Sequence, residues 1–285
     1  MALPFVDRSP TPREFQKLRL ILSTFQDGTG QYMLTCRLKE QDERGKNKTV
    51  KVIKNLPGWR DFERAVAFAF GGEAQESKAI FDVLLSEHNR KEKYGISCKM
   101  REDFNSTVKT GRVNLELSNA AGKFWAELNS HGYNQGNYMD SPAEVAKAVL
   151  RLYESWQEAV SIEKGGDVDL SKSSYLALSW NRNHHYGIYQ LHQFPLALPN
   201  PDDIRWASDG RRIVGVIESE MIFEWYGESG AQLKYYPPSK DAVWKSEPFE
   251  LEPLGDLRYG VLNKAEAYFP KLWEEACKEE DERKE

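Results

Sequence analysis

The sequence predicts a protein of the α/β class, of α+β type: a mixed central sheet flanked by helices, with antiparallel β-rich elements added at both ends. Three observations predict it. Amphipathic helical segments at 58–72 and 141–160 bracket a group of short apolar strands. A charged hairpin precedes them, and the stretch 172–260 is a succession of short aromatic strands separated by turn residues.

Taken in order, residues 12–25 (PREFQKLRLILSTF) start with helical spacing and run into a turn at Gln26-Asp27-Gly28-Thr29-Gly30. Tyr32, Leu34, Cys36 and Leu38 then alternate with polar residues, and Val50 and Val52 alternate after the linker QDERGKNK, which reads as a hairpin. Its polar positions include Arg37, Lys39, Lys46, Lys48 and Lys51, either a phosphate-facing edge or lysines that keep an edge strand soluble. GWRDFERAVAFAFGG is an amphipathic helix closed by two glycines. Strands follow at 79–85 (AIFDVLL), 94–100 (YGISCKM) and 112–118 (RVNLELS). NAAGKFWAEL and SPAEVAKAVLRLYESWQEAV are helices, with cap candidates at Ser118 or Asn119 and at Asp140 or Ser141. The 172–260 strands read as one antiparallel sheet built onto this core. The division expected is 1–57 helix and hairpin, 58–160 core, 172–260 β-rich portion and 271–285 charged tail, all in a single domain.

A net charge of −5 argues against a protein that grips nucleic acid merely by being basic. Three of those five excess charges lie in the tail KLWEEACKEEDERKE, with four positive and seven negative residues. No apolar run approaches the roughly 18 residues of a membrane span, and no secretory leader is visible at the N-terminus. A soluble cytoplasmic protein without membrane contact is expected, its three cysteines (Cys36, Cys98, Cys277) reduced.

The informative oddities are charges inside apolar strands. Lys99 lies in YGISCKM on the same face as Ser97, opposite Ile96, Cys98 and Met100. Asp82 lies in the middle of AIFDVLL, on a face with Ile80 and Leu84 and opposite Phe81, Val83 and Leu85. Such groups are costly to bury without partners. The short connection SEHNRKEKY lets the two strands pair and bring Asp82 beside Ser97 and Lys99. Glu63 sits on the core side of the preceding helix, beside Phe62 and Val66. Two hard carboxylates and an ammonium group suit Mg²⁺ and phosphodiester hydrolysis. The bland reading of Asp82 and Lys99 is a buried structural ion pair.

FERAVAFAFGG, IFD and ISCK together resemble the core of the PD-(D/E)xK nuclease superfamily, over residues 63–125. LRLILSTFQDGTGQ resembles the start of bacterial type II restriction endonucleases. The resemblance implies a restriction-endonuclease-like core in which Asp82 and Glu63 ligate metal and Lys99 positions water. Phe81 stands where the motif has proline, and Ser97 stands where it has an acid. Some restriction enzymes with an S-x-K strand bring the missing carboxylate from downstream, which points to Glu116; Ser97 itself leaves space for a metal-bound water. Glu102 is nearer but lies in the polar loop REDFNST.

Asn181, Arg182, Asn183, His184 and His185 carry donors and acceptors suited to base edges. Lys234 and Lys240, with Lys245, lie among tyrosines and Trp244, as on a phosphate-tracking surface or an ordinary edge strand. The five histidines lack zinc-ligand spacing. The function expected is a sequence-specific, Mg²⁺-dependent type II restriction endonuclease acting on double-stranded DNA. A homodimer, or a tetramer, would match a symmetric site. The alternatives are a repair or structure-specific nuclease of the same superfamily, a catalytically decayed DNA-binding protein, and a non-DNA protein with a structural ion pair.

Overall fold

The computed structural model describes residues 10–27, 29–30, 32–41, 45–75, 80–86, 92–182, 187–228, 230–254 and 269–274, with backbone alone for 32–41 and 47–54. Helix α1 (Pro12–Thr24) starts at a capping box: Thr11 accepts from the Glu14 amide, and the Glu14 carboxylate accepts from the Thr11 amide. Strands β1 (Tyr32–Gln41) and β2 (Asn47–Leu56) pair antiparallel as the expected hairpin, Tyr32 opposite Leu56. Helix α2 (Trp59–Phe70) buries Phe62, Ala65, Val66, Ala69 and Phe70, and stops at Gly71, whose φ of 72° favours glycine.

Strands β3 (Glu73–Ala74), β4 (Val83–Ser86) and β5 (Lys93–Arg101) are followed by α3 (Phe104–Thr110), β6 (Leu115–Ser118), α4 (Ala121–Ser130) and α5 (Pro142–Glu158). The last third holds β7 (Ser174–Asn181), β8 (Ile188–Pro195), β9 (Arg205–Asp209), β10 (Arg212–Ile217), β11 (Glu220–Tyr226), β12 (Gln232–Tyr235), β13 (Trp244–Lys245) and β14 (Phe249–Glu250).

Among the described residues, seven strands form a mixed sheet in the order β13-β8-β7-β5-β4-β3, with β14 also on β8. β5 and β7 are parallel, Ser97 beside Tyr175 and Lys99 beside Ala177, and the other pairs are antiparallel. A second, antiparallel sheet runs β6-β12-β11-β10-β9. Helices α1 and α2 pack Leu18, Leu22, Phe62 and Val66 with Val83, Ile96, Leu176 and Leu178 of the first sheet. On its other side, Phe124, Leu128, Val149 and Tyr153 of α4 and α5 join Tyr175 and Ala177 to Ile213, Phe223 and Trp225 of the second sheet. No helix of the described residues is long and apolar enough to cross a membrane.

Three local expectations need correction. The 172–260 strands do not make one added sheet: β7 and β8 complete the first sheet, and β9 to β12 build the second. The strand expected at 112–118 begins at Leu115 and pairs with β12, Leu115 opposite Tyr235. The strand expected at 79–85 begins at Val83, and Phe81 does not share the face of Val83 and Leu85; it belongs to the other core cluster. Gly95 explains that crossing, since a Cβ there would lie 2.2 Å from the Phe81 ring. The charged tail beyond 274 lies outside the described residues.

Candidate active site

β4 ends its pairing with β5 at Val83 opposite Ile96, so among the described residues the 97–101 half of β5 pairs only with β7. An open strand edge presents N–H groups that require partners. Asp82, at the bend before β4, supplies the first: its Oδ2 accepts from the Cys98 amide at 2.7 Å, while its own N–H donates to the Ile96 carbonyl at 3.0 Å. The Ser97 hydroxyl lies 3.5 Å from the same Oδ2. Ser97 is buried.

Beside this open edge lies a cleft of about 790 Å³, bounded by α2, β3, β5 and β6. Glu63, Asp82, Lys99 and Glu116 all line it, four of the five residues singled out for catalysis from the sequence. Lys99 is half-buried and makes no ion pair among the described residues. Cys98, between Ser97 and Lys99, registers the surrounding charges. Burial raises its thiol well above its ordinary pKa, the Asp82 and Glu63 carboxylates raise it further, and Lys99 acts in the opposite sense. Among the described residues, Cys98 makes no disulfide.

Glu116 stands on the opposite wall, where its Oε2 accepts from Arg101 Nη1 at 2.5 Å. Its carboxylate therefore faces a guanidinium in this arrangement. Among the described residues, no group of three His, Cys, Asp or Glu side chains is placed to hold a metal ion. What the cleft offers a cation is a pair of hard oxygen donors, Asp82 and Glu63. That set matches Mg²⁺, which is commonly held by one or two carboxylates with water and substrate oxygens completing the shell.

Reading the sequence missed Arg60, Arg64 and Arg101, which also line the cleft. With Lys99 they set four cations against the three carboxylates Glu63, Asp82 and Glu116, a local excess of positive charge on a chain of net charge −5. Arg60 and Arg64 are one helical turn apart, and the Arg60 guanidinium lies 4.8 Å from the Trp59 ring centroid. The signal was present in the strand itself: Arg101 is two residues beyond Lys99 and shares its face.

The residues read as DNA contacts are distributed differently. Asn181 is buried and donates to Asn105 Oδ1 at 2.9 Å. Arg182 is held by both oxygens of Glu102, which places Glu102 in an ion pair and not simply in a solvated loop. Asn183, His184 and His185 lie outside the described residues. Lys234 is not on a phosphate-tracking surface: it is 9% exposed and donates to Glu224 Oε1 at 3.0 Å. Lys240 and Lys245 are exposed. His192 is fully buried against Ser239, and burial, with Lys245 nearby, lowers its pKa to about 4.

Comparison with known proteins finds nothing similar: no family model, no curated protein and no solved structure matches the chain.

Proposed function

We propose that the cleft hydrolyses phosphodiester bonds of double-stranded DNA with Mg²⁺, and that the protein is a sequence-specific endonuclease of the type II restriction class built on a PD-(D/E)xK core. The observation that carries this reading is the convergence of Glu63, Asp82 and Lys99, from three separate elements, on one cleft with an excess of positive charge.

When bound, Mg²⁺ supplies charge neutralisation at the phosphate and a more acidic water. Asp82 and Glu63 are the residues that would hold it. The Cys98 amide and the Ser97 hydroxyl fix the Asp82 carboxylate, limiting the reorganisation needed when a substrate arrives. Lys99, which has no ion pair among the described residues, orients the attacking water and offsets the negative charge that grows on the phosphate oxygens. The flanking arginines hold the polyanion. Cutting both strands of a symmetric site is simplest for a homodimer.

The test is incubation of the purified protein with long mixed-sequence DNA and Mg²⁺, beside Lys99→Ala and an EDTA control. Discrete bands lost in both controls support the restriction reading, a metal-dependent smear favours a repair or structure-specific nuclease, and DNA that stays intact overturns cleavage. A second reading, a DNA-binding protein with a decayed core, is favoured by two observations: serine replaces the motif acid at Ser97, and Glu116 is engaged by Arg101. Retarded but uncut DNA on a gel would select it.

A further inference from the structure

We propose that Arg101 binds the phosphate next to the one that is cut, and that Glu116 holds its guanidinium in place for that purpose. The inference rests on the polynucleotide reading of the cleft and goes beyond it by assigning a second phosphate subsite.

The argument starts from strand geometry. Lys99 and Arg101 alternate onto the same face of β5, so their backbone positions are separated by two residues, roughly 6.7 Å. That interval is comparable to the step between neighbouring phosphates along one nucleic-acid strand. A lysine and an arginine at this spacing can therefore meet two consecutive phosphates, with Lys99 at the scissile one beside Asp82. Both side chains line the cleft, and the Arg101 side chain is 36% exposed.

Arg101 is also preorganised. Its contact with Glu116 uses one terminal nitrogen, Nη1, and among the described residues no other hydrogen bond engages the guanidinium. The remaining N–H groups form a fork suited to phosphate oxygens. Behind Glu116, β12 sets Lys234 opposite it in register, and the Lys234 ammonium is bonded to Glu224 of β11. Charges thus alternate from Glu224 through Lys234 and Glu116 to Arg101, crossing from the second sheet to the edge of the first. A flexible arginine would lose more side-chain freedom on binding than one already anchored.

The experiment measures binding of the full-length chain to a short fluorescent DNA duplex by anisotropy, with Ca²⁺ replacing Mg²⁺ to suppress cutting, across a series of salt concentrations. Arg101→Gln keeps a donor for Glu116 but removes the charge. It should weaken binding and lower the slope of log K against log salt by about 0.9, the value of one phosphate contact. Arg101→Lys should keep the parent slope while binding less tightly, and Glu116→Gln should keep the slope as well. Thermal melts of each variant separate lost binding from lost folding, and Arg101→Lys guards against a glutamine variant that fails to fold. An Arg101→Gln slope equal to the parent's would overturn the proposal, as would a parent that does not bind DNA at all. A parent that binds with the predicted slopes but never cuts would keep the phosphate subsite and sink the nuclease reading.

Discussion

Glu224 offers the sharpest test of how the second sheet is held. Its carboxylate is nearly inaccessible, yet it accepts from Lys234 at 3.0 Å, Arg212 at 2.7 Å and Tyr226 at 3.1 Å, and from the Tyr236 hydroxyl. At an effective dielectric constant of about 20, a 3.0 Å ion pair is worth roughly 5–6 kcal/mol before desolvation is subtracted. Most of that attraction only offsets the cost of burying the two charges, so the pair adds little against an apolar substitute. Removing one partner is different. Glu224→Gln leaves the Lys234 ammonium buried without the carboxylate it is bonded to and sets an amide N–H₂ among groups that now donate to that site, a loss of about 3–5 kcal/mol. For a chain of this size, 3 kcal/mol corresponds to roughly 6–12 °C in Tm. The assay is thermal and urea unfolding at pH 7 of the parent, Glu224→Gln and the double variant Glu224→Leu with Lys234→Met. The single variant should lose stability and the double variant should recover much of it. A Glu224→Gln protein within about 1 kcal/mol of the parent would refute the reasoning. Burial opposes ionisation of Glu224, but hydrogen bonds from Tyr236 and Lys234 outweigh it and depress the pKa. The stabilisation is therefore present above the ordinary glutamate range and is lost as pH falls through the depressed value.

Further expectations concern other sites. Burial raises the Asp103 pKa from 3.8 to about 6, against a Ser179 hydrogen bond and the charge of Arg101. Its contribution is thus complete below pH 3.8 and is lost as pH rises through 6. The stability of Asp103→Asn relative to the parent, followed by urea unfolding, should rise by up to about 3 kcal/mol between pH 4 and 7; a flat difference would contradict this. Gly95→Ala should destabilise by at least about 1–3 kcal/mol, because the new Cβ meets the Phe81 ring at 2.2 Å; unchanged unfolding would show that Phe81 yields freely. Lys99→Met should abolish metal-dependent DNA cleavage while keeping or raising Tm, since Lys99 has no ion pair among the described residues to lose. A large fall in Tm would assign the lysine a structural role.

What could be read from the sequence was local. The helical spacing of PREFQKLRLILSTF gives α1, and paired alternation around a charged linker gives the β1–β2 hairpin. Asp82 and Lys99 stood out because charge inside an apolar strand demands an explanation, and the short connection between their strands fixed their proximity. The failures involve partners on other strands of the fold. Lys234 alternates between Leu233 and Tyr235 as an outward-facing residue would, but its ammonium lies 4.5 Å from the Tyr226 ring centroid and its partner Glu224 is on the neighbouring strand. Phe81 reads as a strand residue on the Val83 face, and its crossing depends on the missing Cβ of Gly95. Nothing local in LELS announces that β6 will pair with β12 and not with β5.

That last pairing governs how the chain can be assembled and divided. Between β5 and β7, which lie side by side, the backbone leaves the first sheet, contributes β6 as the edge of the second, and returns through α4 and α5. During synthesis β6 emerges more than a hundred residues before β12, so the wall of the cleft that carries Glu116 stays an unpaired edge until the last third of the chain exists. A fragment ending after α5 would contain Glu63, Asp82, Lys99 and Glu116 but neither β7, which flanks the lysine strand, nor β12, which holds the glutamate strand. The backbone crosses to the second sheet twice, for β6 and again for β9 to β12, so the smallest piece of this protein able to form the cleft extends at least to Tyr235.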